Sequence, residues 1–366
     1  FAILVNESSS LIKVSELQYK ILKIFIKVEE NNFVMKKVGF AVIGLGWFGE
    51  KHVHVLSELP GVELVAVCSR TEARAKEVAS KYGAKKWYTN WEKTVRDPEV
   101  EAVSVVTHVP EHRDPVILAA EAGKHILVEK PIAGSLKEAD EMIAATEKNK
   151  VHFMVGHILR FESRYAQAKQ IIERGDIGKI VSIYARRNIP GGFAAPHLRY
   201  GSPILLDAIH DTDIILWYLK DNVKSVYATW LNVRGSPNPE ITWTIYNFSK
   251  GTKGVCESLW FLPDNTAFAI DAKMEVLGTE GAVYIDCGDS GLEVNDKKGV
   301  KRHDTMHWPM IHGEIAGALK DEISYFVKCV MNDRKPSIVT PMEARHALEV
   351  VLAAEESAKT GKIITL

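Results

Sequence analysis

Cysteine is scarce in this 366-residue chain, and the four present, Cys68, Cys256, Cys287 and Cys329, stand far apart with no C-x-x-C. That spacing argues against a disulfide framework or a zinc knuckle and fits a reducing cytosol. An excess of either charge is missing as well, since 46 basic residues stand against 47 acidic ones for a net charge of -1. No electrostatic footprint for nucleic acid or an anionic membrane remains, so the expected partner is a small molecule. Long apolar runs are absent too. Nothing approaches the roughly 18 residues needed to cross a bilayer, and the start of the chain lacks the pattern of a signal peptide, so a cytoplasmic location is expected. There is no internal repeat and no low-complexity tract. The first methionine is Met35. Residues 1–34 are read as an extension without function, in which Leu17 to Val28 could form a short helix.

What is present begins with Gly44-Leu45-Gly46-Trp47-Phe48-Gly49, set between the apolar run Val38 to Ile43 and a helix-like stretch from Glu50 to Leu59. A buried strand, a glycine turn and a helix in that order make a dinucleotide site. The first glycine allows the turn, the second admits a pyrophosphate and the third lets the helix pack closely. From Met35 to Gly156, short apolar runs alternate with helical stretches, as a doubly wound parallel sheet requires. Strands are expected at 38–43, 63–68, 102–107, 125–129 and 151–155. Gly83 and Gly123 stand where left-handed caps end helices, and Ser135 with Glu138 makes a capping box.

After Gly156 the grammar changes. Helices are expected over 162–174 and 203–219, then strands at 226–231, 241–248, 254–260, 269–277 and 281–286, and closing helices at about 313–331 and 341–360. Consecutive strands with short turns predict a mainly antiparallel sheet in an α+β unit. Two domains follow, a Rossmann domain over 35–156 and a substrate-binding or oligomerisation domain over 157–366.

Three places could carry chemistry. Where an acidic residue would hold the ribose of NAD, the chain has Ser69-Arg70 instead, which suits a 2′-phosphate and favours NADP over NAD. Lys130, in Glu129-Lys130-Pro131, falls at the carboxyl end of a strand, where such sheets bind ligands. It could hydrogen-bond a substrate oxygen and help move a proton. Asp207, His210 and Asp213 share one face of the expected helix, so a carboxylate could orient the imidazole as a general base. The stretch from Arg186 to Tyr200, rich in Gly, Pro and donors, reads as a connector that could shape a polyol pocket. No metal site is expected: His52 and His54 point to different faces, and His303, His307 and His312 have no carboxylate or cysteine at a ligand spacing.

The glycine loop, Glu129-Lys130-Pro131 and the Asp207/His210 helix, followed by an antiparallel sheet, resemble the glucose-fructose oxidoreductase/inositol dehydrogenase/MocA (Gfo/Idh/MocA) family. The resemblance runs from Met35 to Leu366 and includes Gly156 to Phe161 and Leu277 to Gly281. It implies that Lys130 and His210 are the catalytic pair, with Asp207 beside them. The family commonly has its aspartate four residues before the histidine, where this chain has Leu206, and an aspartate at the place of Ser69. The resemblance also places Thr107, His108, His112, Glu129 and Lys130 against the cofactor. His157, Arg160, Arg187, Arg199 and Asp213 are candidates for substrate contact. The implied activity is an NAD(P)-dependent dehydrogenase of a sugar or cyclitol, in a homodimer or homotetramer. A redox-assisted NAD-dependent glycosidase and a non-catalytic dinucleotide sensor share the fold.

Overall fold

Val38–Ile43 (β1) is buried at every position, as a strand covered on both faces must be. It is central to a parallel sheet with Val62–Cys68 (β2), Lys86–Tyr88 (β3), Ala102–Val105 (β4), His125–Glu129 (β5) and Phe153–Gly156 (β6), in the order β3-β2-β1-β4-β5-β6. The order reverses between β1 and β4, which opens a crevice beyond their carboxyl ends. The computed structural model describes residues 37–297 and 299–366, so the expected extension over 1–34 lies outside the described residues.

The glycine turn is tight for stated reasons. Gly44 leaves β1 with a φ of 98°, and a Cβ there would meet the Val106 carbonyl oxygen at 2.4 Å. A Cβ at Gly49 would lie 1.9 Å from the Gly44 oxygen, so the helix Trp47–Glu58 can press against the turn only as glycine. Around Gly46, in contrast, nothing stands within 4 Å.

A second sheet holds Ile180–Pro190 (β7), Val223–Leu231 (β8), Ile241–Phe248 (β9), Lys253–Leu262 (β10), Asp271–Gly278 (β11) and Ala282–Asp286 (β12). Two small hairpins follow, Glu293–Asp296 (β13) with Gly299–Arg302 (β14) and Met310–Ile311 (β15) with Glu314–Ile315 (β16), and Ile364–Thr365 (β17) closes the sheet edge. The strand order is β12-β11-β7-β10-β9-β8-β17, and only β7 with β10 is parallel. The inner face packs on the helices Ala208–Leu219 and Pro341–Thr360, where the Tyr246 hydroxyl meets Thr212 Oγ1 at 2.8 Å. The outer face carries Tyr227, Trp243 and Ile245, each about two-fifths exposed.

The helix Ala318–Met331 returns to the first sheet, where Phe326 packs edge-on against Phe40 at 6.3 Å. Both rings are fully buried, a gain of about 2–3 kcal/mol each. Residues from Val38 onward therefore form one compact unit.

The structure departs from the sequence expectation in three places that matter. Arg186, Arg187 and Asn188 lie within β7, not in a connector, because their polar groups find partners: Arg186 pairs with Asp271, Arg187 with Asp211 and Asn188 with Glu257. The helix expected over 203–219 is interrupted, with Pro203–Leu206 and Ala208–Leu219 separated at Asp207 (φ -128°, ψ -51°). The hairpin β15–β16 occupies the start of the expected 313–331 helix, which begins only at Ala318.

Candidate active site

A cleft of about 890 Å³ lies at the carboxyl ends of β1, β4 and β5 and is closed by residues of the second sheet and its loops. At one end it is walled by the loop Gly44 to Gly49, which includes Leu45, Trp47 and Phe48. The N-terminus of the 47–58 helix opens onto this space, an electropositive end with free backbone N–H groups. The open side of Gly46 leaves room there for a ligand's backbone-close approach. Arg74, unremarked in the sequence, donates from Nε to the Leu45 oxygen at 3.1 Å and pairs with Glu50, so it braces the loop from behind.

Ser69 and Arg70 line the same end. The Arg70 guanidinium is exposed but engaged, with Nη1 2.9 Å from Glu111 Oε1. A carboxylate thus stands beside the guanidinium on which, with Ser69, the expectation of NADP rested. Thr107 and His108 also face the cleft, the His108 ring stacked on Tyr200 at 3.9 Å. His112 does not: its ring is buried between the Pro131 oxygen, 3.1 Å from Nδ1, and the Thr107 oxygen, 3.1 Å from Nε2. It ties the two cleft loops together from beneath.

The other end is organised by the break at Asp207. In an unbroken helix the Leu206 carbonyl would accept from the N–H of His210. Here that N–H turns to the Asp207 oxygen at 3.0 Å, and the freed Leu206 carbonyl accepts from Lys130 Nζ at 2.6 Å. The interruption thus draws Lys130 to the segment that carries His210. Burial lowers the proton affinity of Lys130, against the opposing pull of Asp207 and Glu129. Burial holds His210 well below the ordinary imidazole value, and the charges of Lys130 and Arg187 add to the effect, so the ring is neutral. Glu129 lines the cleft with its Oε1 3.2 Å from His52 Nε2.

No carboxylate orients His210, contrary to expectation. Its Nδ1 is buried without a hydrogen-bond partner among the described residues. Asp207 lines the cleft but accepts from Trp260 Nε1 at 2.9 Å, with Ser258 Oγ at 3.5 Å. Asp213 accepts from Arg160 Nε at 2.9 Å and Nη2 at 2.7 Å, and His157 Nδ1 lies 3.6 Å away. Arg160, Asp213 and His157 form a buried group beneath the cleft wall, where burial lowers the His157 pKa. Arg187 does reach the cleft, held by a two-pronged pair to Asp211 at 2.8 and 3.0 Å. Arg199 is exposed over the Tyr200 ring and stays outside.

Sequence reasoning missed His307, Trp308 and Trp260 as lining residues, while Phe193 and His197 come from the 186–200 stretch expected to shape a pocket. His307 has a carboxylate after all, Asp304, three residues before it. The Asp-x-x-His spacing in the sequence is the signal that could have found it.

Residues 38–157 match the family described as "oxidoreductase family, NAD-binding Rossmann fold", and residues 165–284 match the GFO/IDH/MocA C-terminal domain. The scyllo-inositol 2-dehydrogenase (NAD(+)) of Bacillus subtilis is 30% identical over 350 residues, covering 90% of this chain and 96% of that protein. The 2,7-anhydro-N-acetylneuraminate hydratase of Mediterraneibacter gnavus is 35% identical over 292 residues, covering 75% of this chain and 73% of that protein. In fold, the chain superposes on apo scyllo-inositol dehydrogenase from Lactobacillus casei with a TM-score of 0.80 at 22% identity, covering 90% of this chain and 98% of that one. The chain belongs to the Gfo/Idh/MocA family of oxidoreductases.

Proposed function

We propose that this protein is a nicotinamide-dependent dehydrogenase that interconverts a secondary hydroxyl and a carbonyl on a cyclitol or related sugar. The observation that carries the reading is the bond from Lys130 Nζ to the Leu206 oxygen, which brings a lysine beside a neutral imidazole in one cleft. The relative named as a scyllo-inositol 2-dehydrogenase supports the cyclitol class.

The dinucleotide would lie with its pyrophosphate on Gly44 to Gly49, its ribose at Ser69 and Arg70, and its nicotinamide half near Thr107 and His108, and when bound it supplies the hydride acceptor. His210 accepts the proton of the substrate hydroxyl, for which it must be neutral. Lys130 gives up the Leu206 carbonyl and donates to the same substrate oxygen, stabilising charge that develops there. Asp207 holds Trp260 at the cleft wall and, as a nearby carboxylate, helps keep Lys130 charged. Arg187, fixed by Asp211, offers a further donor to a hydroxyl.

The cofactor we favour is NAD(H) rather than NADP(H). Arg70 is already paired with Glu111, a carboxylate that lines the cleft and would repel a 2′-phosphate, and the Bacillus relative is named for NAD(+). A panel of inositols and sugars, each with NAD and NADP and followed at the nicotinamide absorbance, tests both parts. Reduction of NAD with an inositol is expected. A second reading rests on the 35% identical hydratase. It would show bound cofactor and product formation without net reduction of NAD. The apolar outer face of the second sheet supports a homodimer or homotetramer.

A further inference from the structure

His210 was expected to be the imidazole with a carboxylate behind it, yet in the structure that arrangement belongs to another residue. Asp304 accepts from the backbone N–H groups of Met306, His307 and Trp308 at 3.1, 2.9 and 2.8 Å. Its Oδ1 also lies 3.0 Å from His307 Nδ1. Burial pushes the Asp304 carboxyl up, but these donors together hold it well below the usual carboxylate range. An ionised carboxylate only accepts, so His307 Nδ1 carries the hydrogen, and it is in the neutral ring that Nε2 presents a lone pair. That is the tautomer and the rigid mounting of an Asp-held base or acceptor.

His307 Nε2 has no partner among the described residues although the residue is only 8% exposed. The ring lines the same cleft as His210. A buried acceptor left empty is costly, and most such atoms are satisfied. Trp308 follows it, 5.5 Å from both Trp47 and Phe48, and seals that wall with apolar rings.

We propose that His307, held by Asp304, accepts a hydrogen bond from a second substrate hydroxyl, near the one that is oxidised, and so makes the enzyme selective for polyols. The inference rests on the proposed function. Two imidazoles then divide the work. His210 beside Lys130 takes the reacting hydroxyl's proton, and His307 reads a neighbouring hydroxyl. Asp304 is a positioning residue, acting through the ring it orients.

The test uses the full chain with myo-inositol, scyllo-inositol and their monodeoxy analogues as substrates. His307→Leu is expected to reduce kcat/KM on the parent polyol about ten- to a hundredfold, chiefly through KM, with NADH affinity by fluorescence unchanged. Wild type should lose a similar factor on the one analogue that lacks the recognised hydroxyl, and H307L should lose nothing more on it. His307→Gln, which can present an amide oxygen near the Nε2 position, should restore most of the KM. An unchanged KM in H307L overturns the proposal, as does an equal loss on every analogue. Weakened NADH binding in H307L would assign the ring to the cofactor instead and also overturn it. A wild-type enzyme that reduces no NAD with any polyol overturns the proposed function, and this inference with it, before any variant is made.

Discussion

The two ends of the cleft are built by different means. The cofactor end is defined by backbone: Gly44 and Gly49 allow contacts that no side chain could share, and a helix N-terminus faces the space beside Gly46. The end to which we assign catalysis is defined by side chains from four separate segments, Lys130 after β5, Arg187 in β7, His210 beyond a helix break and His307 in a loop. A backbone site writes its spacing into a short stretch of sequence. A site assembled from distant segments writes only residue types.

That contrast predicts different failures on mutation. The largest is at His210. His210→Asn should lower kcat/KM for alcohol oxidation about 10²–10⁴-fold while NADH affinity, measured by fluorescence, stays near wild type. Because burial holds His210 well below its ordinary value, the acid limb of the wild-type rate profile should fall below about pH 6.5. A limb at or above that pH would remove His210 as the base.

The glycines sharpen the same contrast within the cofactor end. Gly44→Ala combines a positive φ with a Cβ 2.4 Å from a carbonyl oxygen, so it should cost roughly 1–3 kcal/mol of stability or more. Gly46→Ala meets nothing in the protein and should melt like wild type, yet bind NAD about tenfold more weakly, a loss of about 1.4 kcal/mol. Thermal melts with and without NAD separate the two. A destabilised G46A would mean that the space beside it is not the ligand's.

At the catalytic end, Asp207→Ala leaves the Trp260 N–H without its acceptor and should cost about 1–3 kcal/mol in a urea titration. It should also lower the Lys130 pKa further, because Asp207 is the largest influence opposing burial there. No loss of stability would show that the Trp260 bond carries nothing.

The smallest effect lies outside the cleft lining. Glu322 is fully buried with both carboxyl oxygens unpartnered among the described residues, and burial, with Glu129 nearby, pushes its pKa well above the usual value. The folded protein keeps a proton there that the unfolded chain releases. This contribution to stability is therefore full below about pH 4.5 and is lost as pH rises through the folded pKa. Glu322→Gln cannot lose that proton, so its melting temperature should match wild type in mild acid and exceed it in alkali. The reverse trend would place a cation beside Glu322.

Much of the fold was legible in the sequence for the same reason as the glycine loop. Continuous apolar runs such as Val38 to Ile43 admit few readings, and alternation in Ile241 to Phe248 marks a sheet with one buried face. β3 escaped because it is three residues long with no fully buried side chain. β7 escaped in part because Arg186, Arg187 and Asn188 look like a loop until Asp271, Asp211 and Glu257 are brought to them. Of the site, Lys130 and His210 were legible through their motifs, and both face the cleft. The break at Asp207 was not, since Leu206-Asp207-Ala208 has no proline or glycine to announce it. His112 was placed against the cofactor through the family resemblance, and Arg160 and Asp213 were candidates for substrate contact; the structure gives these three partners inside the protein.

Under the proposed function Lys130 and His210 act together on a substrate hydroxyl in the cleft. The most direct test is Lys130→Met, measured for NAD reduction with scyllo- and myo-inositol and for NADH affinity in the same preparation. Turnover should fall by at least about 10²-fold with NADH affinity retained within a few-fold of wild type. Undiminished turnover in K130M, with NADH bound as before, would contradict the account.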